Sequence, residues 1–188
     1  MLDEIIKYRQ IVTLADGSRV LLRPLTKEDQ NALLGLFAPI SREDLKFMRS
    51  DVTDTAMVAS WVEHLDYSQL LPIVAVANDR IVGDATVHFR GRGPQRHIAD
   101  VRIFLNKEFR RRGLGTAMLR SLIELARKLG LQQLVAEVIA DQIKVIHAFQ
   151  SLGFELRATF PDYFIMPDGE THDVAVLVLT LGKKKEEF

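Results

Sequence analysis

The 188-residue chain contains no cysteine. That excludes disulfide cross-links, a thiol nucleophile and zinc sites of the cysteine type. Charge of either sign is not in excess, since 25 Lys and Arg balance 25 Asp and Glu. No global field therefore draws the protein to nucleic acid or to an anionic membrane, and neither is expected as a partner. Nothing approaches the ~18 consecutive apolar residues of a membrane-spanning helix. The start Met1-Leu2-Asp3-Glu4 lacks a secretion-signal pattern, so a cytoplasmic protein is expected. The histidines, His64, His88, His97, His147 and His172, are scattered without ligand spacing, and no metal is expected. Internal repeats and linkers are missing too. One domain over residues 1–188 is expected, with a core of about 10–181 and a charged, uninformative tail at 182–188.

What is present is the balance of a globular α/β domain, with 47% hydrophobic and 27% charged residues, enough to build a real core. Gln10–Leu14 and Arg19–Arg23 flank Ala15-Asp16-Gly17-Ser18, a hairpin signal that Pro24 closes. Thr26-Lys27-Glu28-Asp29 reads as an N-cap with an acidic first turn, opening a helix through Leu33, Leu34 and Phe37. Ser41-Arg42-Glu43-Asp44 repeats that signal. A third helix carries Met57, Val58, Trp61, Val62 and Leu65 on one face, a core-facing pattern. Pro72–Ala77 and Ile81–Phe89 form a second hairpin, and Gly91-Arg92-Gly93-Pro94 is a loop.

Ile98–Leu105 alternates as a strand, with Ala99, Val101, Ile103 and Leu105 on one face and Asp100, Arg102 and Phe104 on the other. It runs into Arg110-Arg111-Arg112-Gly113-Leu114-Gly115-Thr116 and then a helix of Leu114, Met118, Leu122, Leu125 and Leu129, stopped by Gly130. A turn of this kind gathers free backbone N–H groups at the positive end of a helix dipole, which suits a phosphate or pyrophosphate. Gly113 and Gly115 remove a Cβ from the ligand's path. A solvated basic patch is the plainer reading of the arginines, but it requires neither glycine. Leu131–Ile139 is a further strand, Asp141 a cap for a helix ending at Leu152-Gly153, and Phe154–Met166 with Thr171–Leu181 a last hairpin around Pro167-Asp168-Gly169.

Arg110-Arg111-Arg112-Gly113-Leu114-Gly115 resembles the Arg/Gln-x-x-Gly-x-Gly/Ala signature of the GNAT N-acetyltransferases. The helix closing on Ser151-Leu152-Gly153-Phe154 and the order of elements from Gln10 to Leu181 resemble that family as well. A narrower resemblance runs through Leu14-Ala15-Asp16-Gly17-Ser18 with Leu22-Arg23-Pro24-Leu25, and through Glu137–Gln142 leading to Ala148–Phe154. These segments look like the acetyltransferase domain of bacterial protein-lysine acetyltransferases.

The resemblance implies an α/β fold: a mixed, mostly antiparallel sheet flanked by helices, with an acyl-CoA cleft between the two central parallel strands. It implies acetyl-CoA as donor, its pyrophosphate on Arg110, Arg111, Arg112, Gly113, Leu114, Gly115 and Thr116. Its pantetheine arm would lie on backbone groups of Ile103 and Leu105. Gln142 stands where the family often has an asparagine. The acceptor amine is mostly protonated at neutral pH, with a pKa of ~10, so a general base is needed. Asp100 occupies the position where many members carry a glutamate, and being shorter it points to an intervening water. Its other reading is an ion pair with Arg102 or Arg96. Glu137 is the alternative base. The family's tyrosine acid is replaced by Phe149, for which Tyr163 is the candidate substitute.

The expected activity is acetyl transfer to a primary amine, a protein lysine or a small amine; a non-catalytic acyl-CoA-binding module is the reading from another class. Glu43, Asp44, Asp51 and Asp54 suit a cationic acceptor, or simply cap helices. The apolar run Val174–Leu179 is compatible with a homodimer paired through the last strands, and equally with a buried strand.

Overall fold

The computed structural model describes residues 5–166 and 168–182. Met1–Glu4, Pro167 of the last turn and the Lys183–Glu187 tail lie outside the described residues. The strands are β1 (Gln10–Thr13), β2 (Arg19–Pro24), β3 (Leu70–Ala77), β4 (Arg80–Phe89), β5 (Ile98–Leu105), β6 (Gln133–Ile139), β7 (Glu155–Ile165) and β8 (Thr171–Thr180). The helices are α1 (Gln30–Phe37), α2 (Arg42–Leu45), α3 (Thr55–Glu63), α4 (Leu114–Lys128) and α5 (Ile143–Ser151). The strands hydrogen-bond in the order β1-β2-β3-β4-β5-β6-β8-β7. The β1–β2, β2–β3, β6–β8 and β7–β8 ladders are antiparallel. The expected parallel pair is β5 and β6, joined where Ile98–Asp100 faces Gln133–Val135.

The chain forms two compact units. The first runs through Thr86 and adds Ile103–Leu122. One side of its sheet packs on α1 and α3: Leu33, Leu36, Phe37, Val58 and Val62 bury Val74 and Ile81, with Val76 and Phe104 against them. Phe37 sits at the centre, edge-on to Trp61 at 6.3 Å and tilted against Phe104 at 5.3 Å. Val58 and Val62 are buried as the helical spacing requires, while Trp61 stays at the exposed rim. On the other side Leu114, Met118 and Leu122 of α4 are completely buried, the stripe read from their i, i+4 spacing.

The helix expected to open at Thr26 begins differently. Lys27–Asp29 is a single 3₁₀ turn and the α-helix starts only at Gln30. Asp29 folds back, accepting the Thr26 N–H at 2.7 Å and both Arg23 guanidinium nitrogens at 2.6 and 2.7 Å. Burial pushes the Asp29 carboxyl up, but Arg23 and Thr26 together hold it below its ordinary value. At α2, Ser41 caps as expected, accepting the Asp44 N–H at 3.0 Å. Asp54 caps α3 through the N–H groups of Ala56 and Met57, so this acid is structural.

The second unit comprises Val87–Arg102 and the described residues from Ile123 onward. The Val174–Leu179 run lies on β8, paired with β6 along one edge and β7 along the other. Its apolar character is that of an interior strand. The strand expected from Leu131 starts at Gln133, because Leu131 N–H is drawn back to the Ala126 carbonyl at 3.1 Å. Asp141 does not cap α5: the N-cap is Gln142, and no side chain caps it. The Leu-Gly-Phe ending behaves as read. Gly153 has φ +93°, and Phe154 folds back to bond the Phe149 carbonyl at 3.2 Å.

Candidate functional site

The turn before α4 is built from three local choices. A 3₁₀ turn, Lys107–Phe109, ends β5, and Asn106 anchors it by bonding the Val82 carbonyl on β4 at 2.9 Å. Arg111 then takes φ +60° and Gly113 φ +87°, reversing the chain so that α4 starts at Leu114. Nothing lies within 4 Å of a Cβ built on Gly113, so this glycine serves backbone conformation and not close packing. Gly115 is the opposite case: a Cβ there would meet Leu105 Cδ1 at 3.2 Å and Ile103 Cδ1 at 3.7 Å. The start of α4 rests directly on β5 through these side chains. The Ala117 N–H bonds the Gly113 carbonyl at 3.1 Å. Helix geometry leaves the N–H groups of Leu114, Gly115 and Thr116 open ahead of it.

The three arginines separate into two kinds. Arg110 donates to the Leu105 carbonyl at 3.0 Å and to Asp44 at 2.8 Å, and lies over the Phe104 ring. Burial acts upward on the Asp44 carboxyl, but Arg110 and Ser41 hold it low. Arg112 pairs with Asp16 of the first hairpin at 2.8 Å and covers the Phe109 ring. Arg111 is exposed and, among the described residues, has no side-chain partner. Hydrogen bonding therefore commits two of the expected cofactor arginines to the fold and leaves Arg111 available to an anion.

The remaining expected residues belong to the second unit. Asp100 is held from both oxygens by Arg90, Nε at 3.0 Å and Nη2 at 2.7 Å. An ion pair of the kind foreseen for Asp100 thus exists, made by Arg90. The Asp100 hydrogen bonds, with a smaller contribution from Glu137, raise the Arg90 guanidinium further. Gln142 lines a surface depression of about 360 Å³ with Asp141, Ile143, Lys144 and Val145. Phe149 is buried edge-on to Phe154 at 5.0 Å. Tyr163 is exposed between the rings of Phe160 and Phe164. No group of three or more His, Asp or Glu among the described residues is placed to hold a metal ion. No helix among them is long and apolar enough to cross a membrane.

One residue escaped the sequence reading. Asp84 sits in the middle of β4, and its Oδ1 is buried without a hydrogen-bond partner. Burial alone pushes the carboxyl up to about 7. The available signal was an acid inside the apolar run Ile81-Val82-Gly83-Asp84-Ala85.

Residues 38–154 match the sequence model described as the Acetyltransferase (GNAT) family. The chain belongs to this family. Within the GNAT proteins it is similar to L-amino acid N-acetyltransferase AaaT of Escherichia coli (strain K12), 28% identical over 105 residues. That alignment covers 55% of this chain and 65% of the relative, so the chain spans just under two thirds of that curated protein. The GNAT domain of S. lividans PAT superposes with a TM-score of 0.76 at 21% identity, covering 92% of this chain and 96% of that one. A GNAT superfamily phosphinothricin acetyltransferase from Sinorhizobium meliloti, solved in complex with AcCoA, gives 0.76 at 22% identity, covering 94% and 93%. These two likenesses establish the GNAT fold.

Proposed function

We propose that the protein is an acetyl-CoA-dependent N-acetyltransferase, a single GNAT domain in which a primary amine attacks the thioester directly. The observation carrying this is the turn before α4: open N–H groups at Leu114, Gly115 and Thr116, a left-handed Gly113, and Arg111 with no partner among the described residues. Such a row of donors at a helix start fits the CoA pyrophosphate. The bound AcCoA of the Sinorhizobium meliloti neighbour supports the same donor here. Backbone groups of Ile103 and Leu105 would hold the pantetheine arm, and Gln142 would make a further cofactor contact.

Asp100 is proposed to act on a proton of the reacting amine through a water, since Arg90 occupies both its oxygens. Asp100→Asn should lower the rate by ~10²–10⁴-fold. An unchanged rate at every pH would remove Asp100 from the chemistry.

A protein lysine is the acceptor suggested by the likeness of Leu14–Leu25 and Glu137–Phe154 to protein-lysine acetyltransferases. A small amine is the second reading, favoured by the names of the Escherichia coli and Sinorhizobium meliloti proteins. A thiol-release assay over lysine peptides, free amino acids and polyamines separates the two. Saturating acetyl-CoA should raise the Tm, because a ligand at 100 times its Kd stabilises by about 2.7 kcal/mol. No shift would count against the donor itself. A shift without thiol release on any amine would indicate a binding module.

A further inference from the structure

Resting on that reading, we propose that Asp84 is the acceptor-binding carboxylate, the group that receives the ammonium of the incoming amine and takes its first proton. The position follows from strand alternation. A Cβ on Gly83 would meet Leu105 Cδ2 at 2.7 Å and Met118 Sδ at 3.1 Å, so Gly83 faces α4. Asp84, next along β4, faces the opposite side, where α1 and α3 pack. It lies in the same unit as the donor turn, two residues beyond the Val82 carbonyl that anchors Asn106.

Among the described residues no group hydrogen-bonds its Oδ1, although strand alternation puts Thr86 and His88 of β4 and Asp100 and Arg102 of β5 on the same face further along. β3 and α1 contain no charged residue and α3 only Glu63. The neighbouring aromatic is Phe104, and the Arg110 guanidinium over it is already held by Asp44 and the Leu105 carbonyl. The residue as a whole is partly exposed, while Oδ1 is buried and unpartnered. A lone acid on an apolar face contributes nothing to the fold. Its missing partner is a cation supplied from outside, and the amine acceptor is that cation.

The chemistry balances. The carboxylate takes one proton from R–NH₃⁺, and the free amine nitrogen bonds the thioester carbonyl carbon. The C–S bond breaks with its electron pair on sulfur, and the second proton from nitrogen passes through the water at Asp100 to that sulfur. Amide and free thiol leave, and Asp84 returns its proton to solvent. A carboxyl near neutrality suits this step better than an ordinary aspartate, because base strength and ionised fraction are both adequate at pH 7.

The test compares wild type with Asp84→Asn by acetyl-CoA thermal shift and by kcat/KM for the amine over pH 5.5–9.5. The variant should keep the acetyl-CoA shift, lose ~10²-fold or more in kcat/KM, and lose the acid limb centred near 7. An unchanged kcat/KM and pH profile would overturn the assignment. Absence of an acetyl-CoA shift in wild type would instead overturn the acetyltransferase reading, and this one with it. Carbon-13 NMR of the aspartate carboxyls in the unaltered protein is independent of any variant. One carboxyl should titrate near neutrality and move to lower pH when the amine is added. A spectrum in which every carboxyl titrates in the ordinary range would also overturn the proposal.

Discussion

Single side chains in this protein are sorted by whether they have found a partner inside it. Arg110 and Arg111 are adjacent in sequence and opposite in this respect. Arg110→Ala removes the bonds to Asp44 and the Leu105 carbonyl, and should lower the Tm. Arg111→Ala removes no bond among the described residues, so its Tm should match wild type while acetyl-CoA binds about tenfold more weakly, one charge-assisted hydrogen bond's worth. Calorimetry of both variants with and without acetyl-CoA separates the two. Asp29 is the paired counterpart of lone Asp84. Its folded pKa lies below the ordinary 3.8, so the Arg23 pair stabilises fully above that range and is lost as the pH falls through and below it. Asp29→Ala strands a mostly buried guanidinium and should cost about 3–5 kcal/mol at pH 7, read by denaturant unfolding. Asp84 has the reverse sign: its folded value is above 3.8, so it favours folding at acid pH and detracts as the pH rises toward 7. Apart from its effect on turnover, Asp84→Asn should therefore raise the Tm at pH 8.5.

Between elements, the start of α4 is seated by two glycines on one leucine. Leu105 fills the space above both Gly83 and Gly115. Gly83→Val would force Leu105 and Met118 aside together and should cost about 1–3 kcal/mol by overpacking. Gly113→Ala meets no atom, but it forces an alanine to φ +87° and should cost about 1–2 kcal/mol. Loss of acetyl-CoA affinity should accompany both. These elements were legible in the sequence because their signals are local: glycine spacing sets the turn, and 3.6-residue periodicity sets α4. The capping of α5 was misread because an acid before a helix looks the same whether or not its side chain turns inward. The break after Asp29 was hidden for another reason, since it depends on Arg23 from the preceding strand.

Across the whole molecule, charge is balanced in number and paired over long stretches of chain. Asp44 meets Arg110 from 66 residues away and Asp16 meets Arg112 from 96, which no spacing rule anticipates. For the same reason the Arg/Gly turn, a local pattern, was legible in the sequence and Asp84 was not, since its distinction is an Oδ1 that no described residue comes to bond. The last hairpin shows the same limit. The apolar run, readable equally as a dimer edge or a buried strand, is interior, while β7, at the end of the strand order, exposes Leu156, Phe160, Tyr163 and Ile165.

The Leu105 contact with Gly83 and Gly115 also bears on how the donor would bind. The first turn of α4, whose Gly115 lies against Leu105 and Ile103, has little freedom left to lose. Its amides should exchange with deuterium as slowly before acetyl-CoA is added as after, from Ala117 onward. Binding would then carry almost no ordering entropy at this end of the ligand.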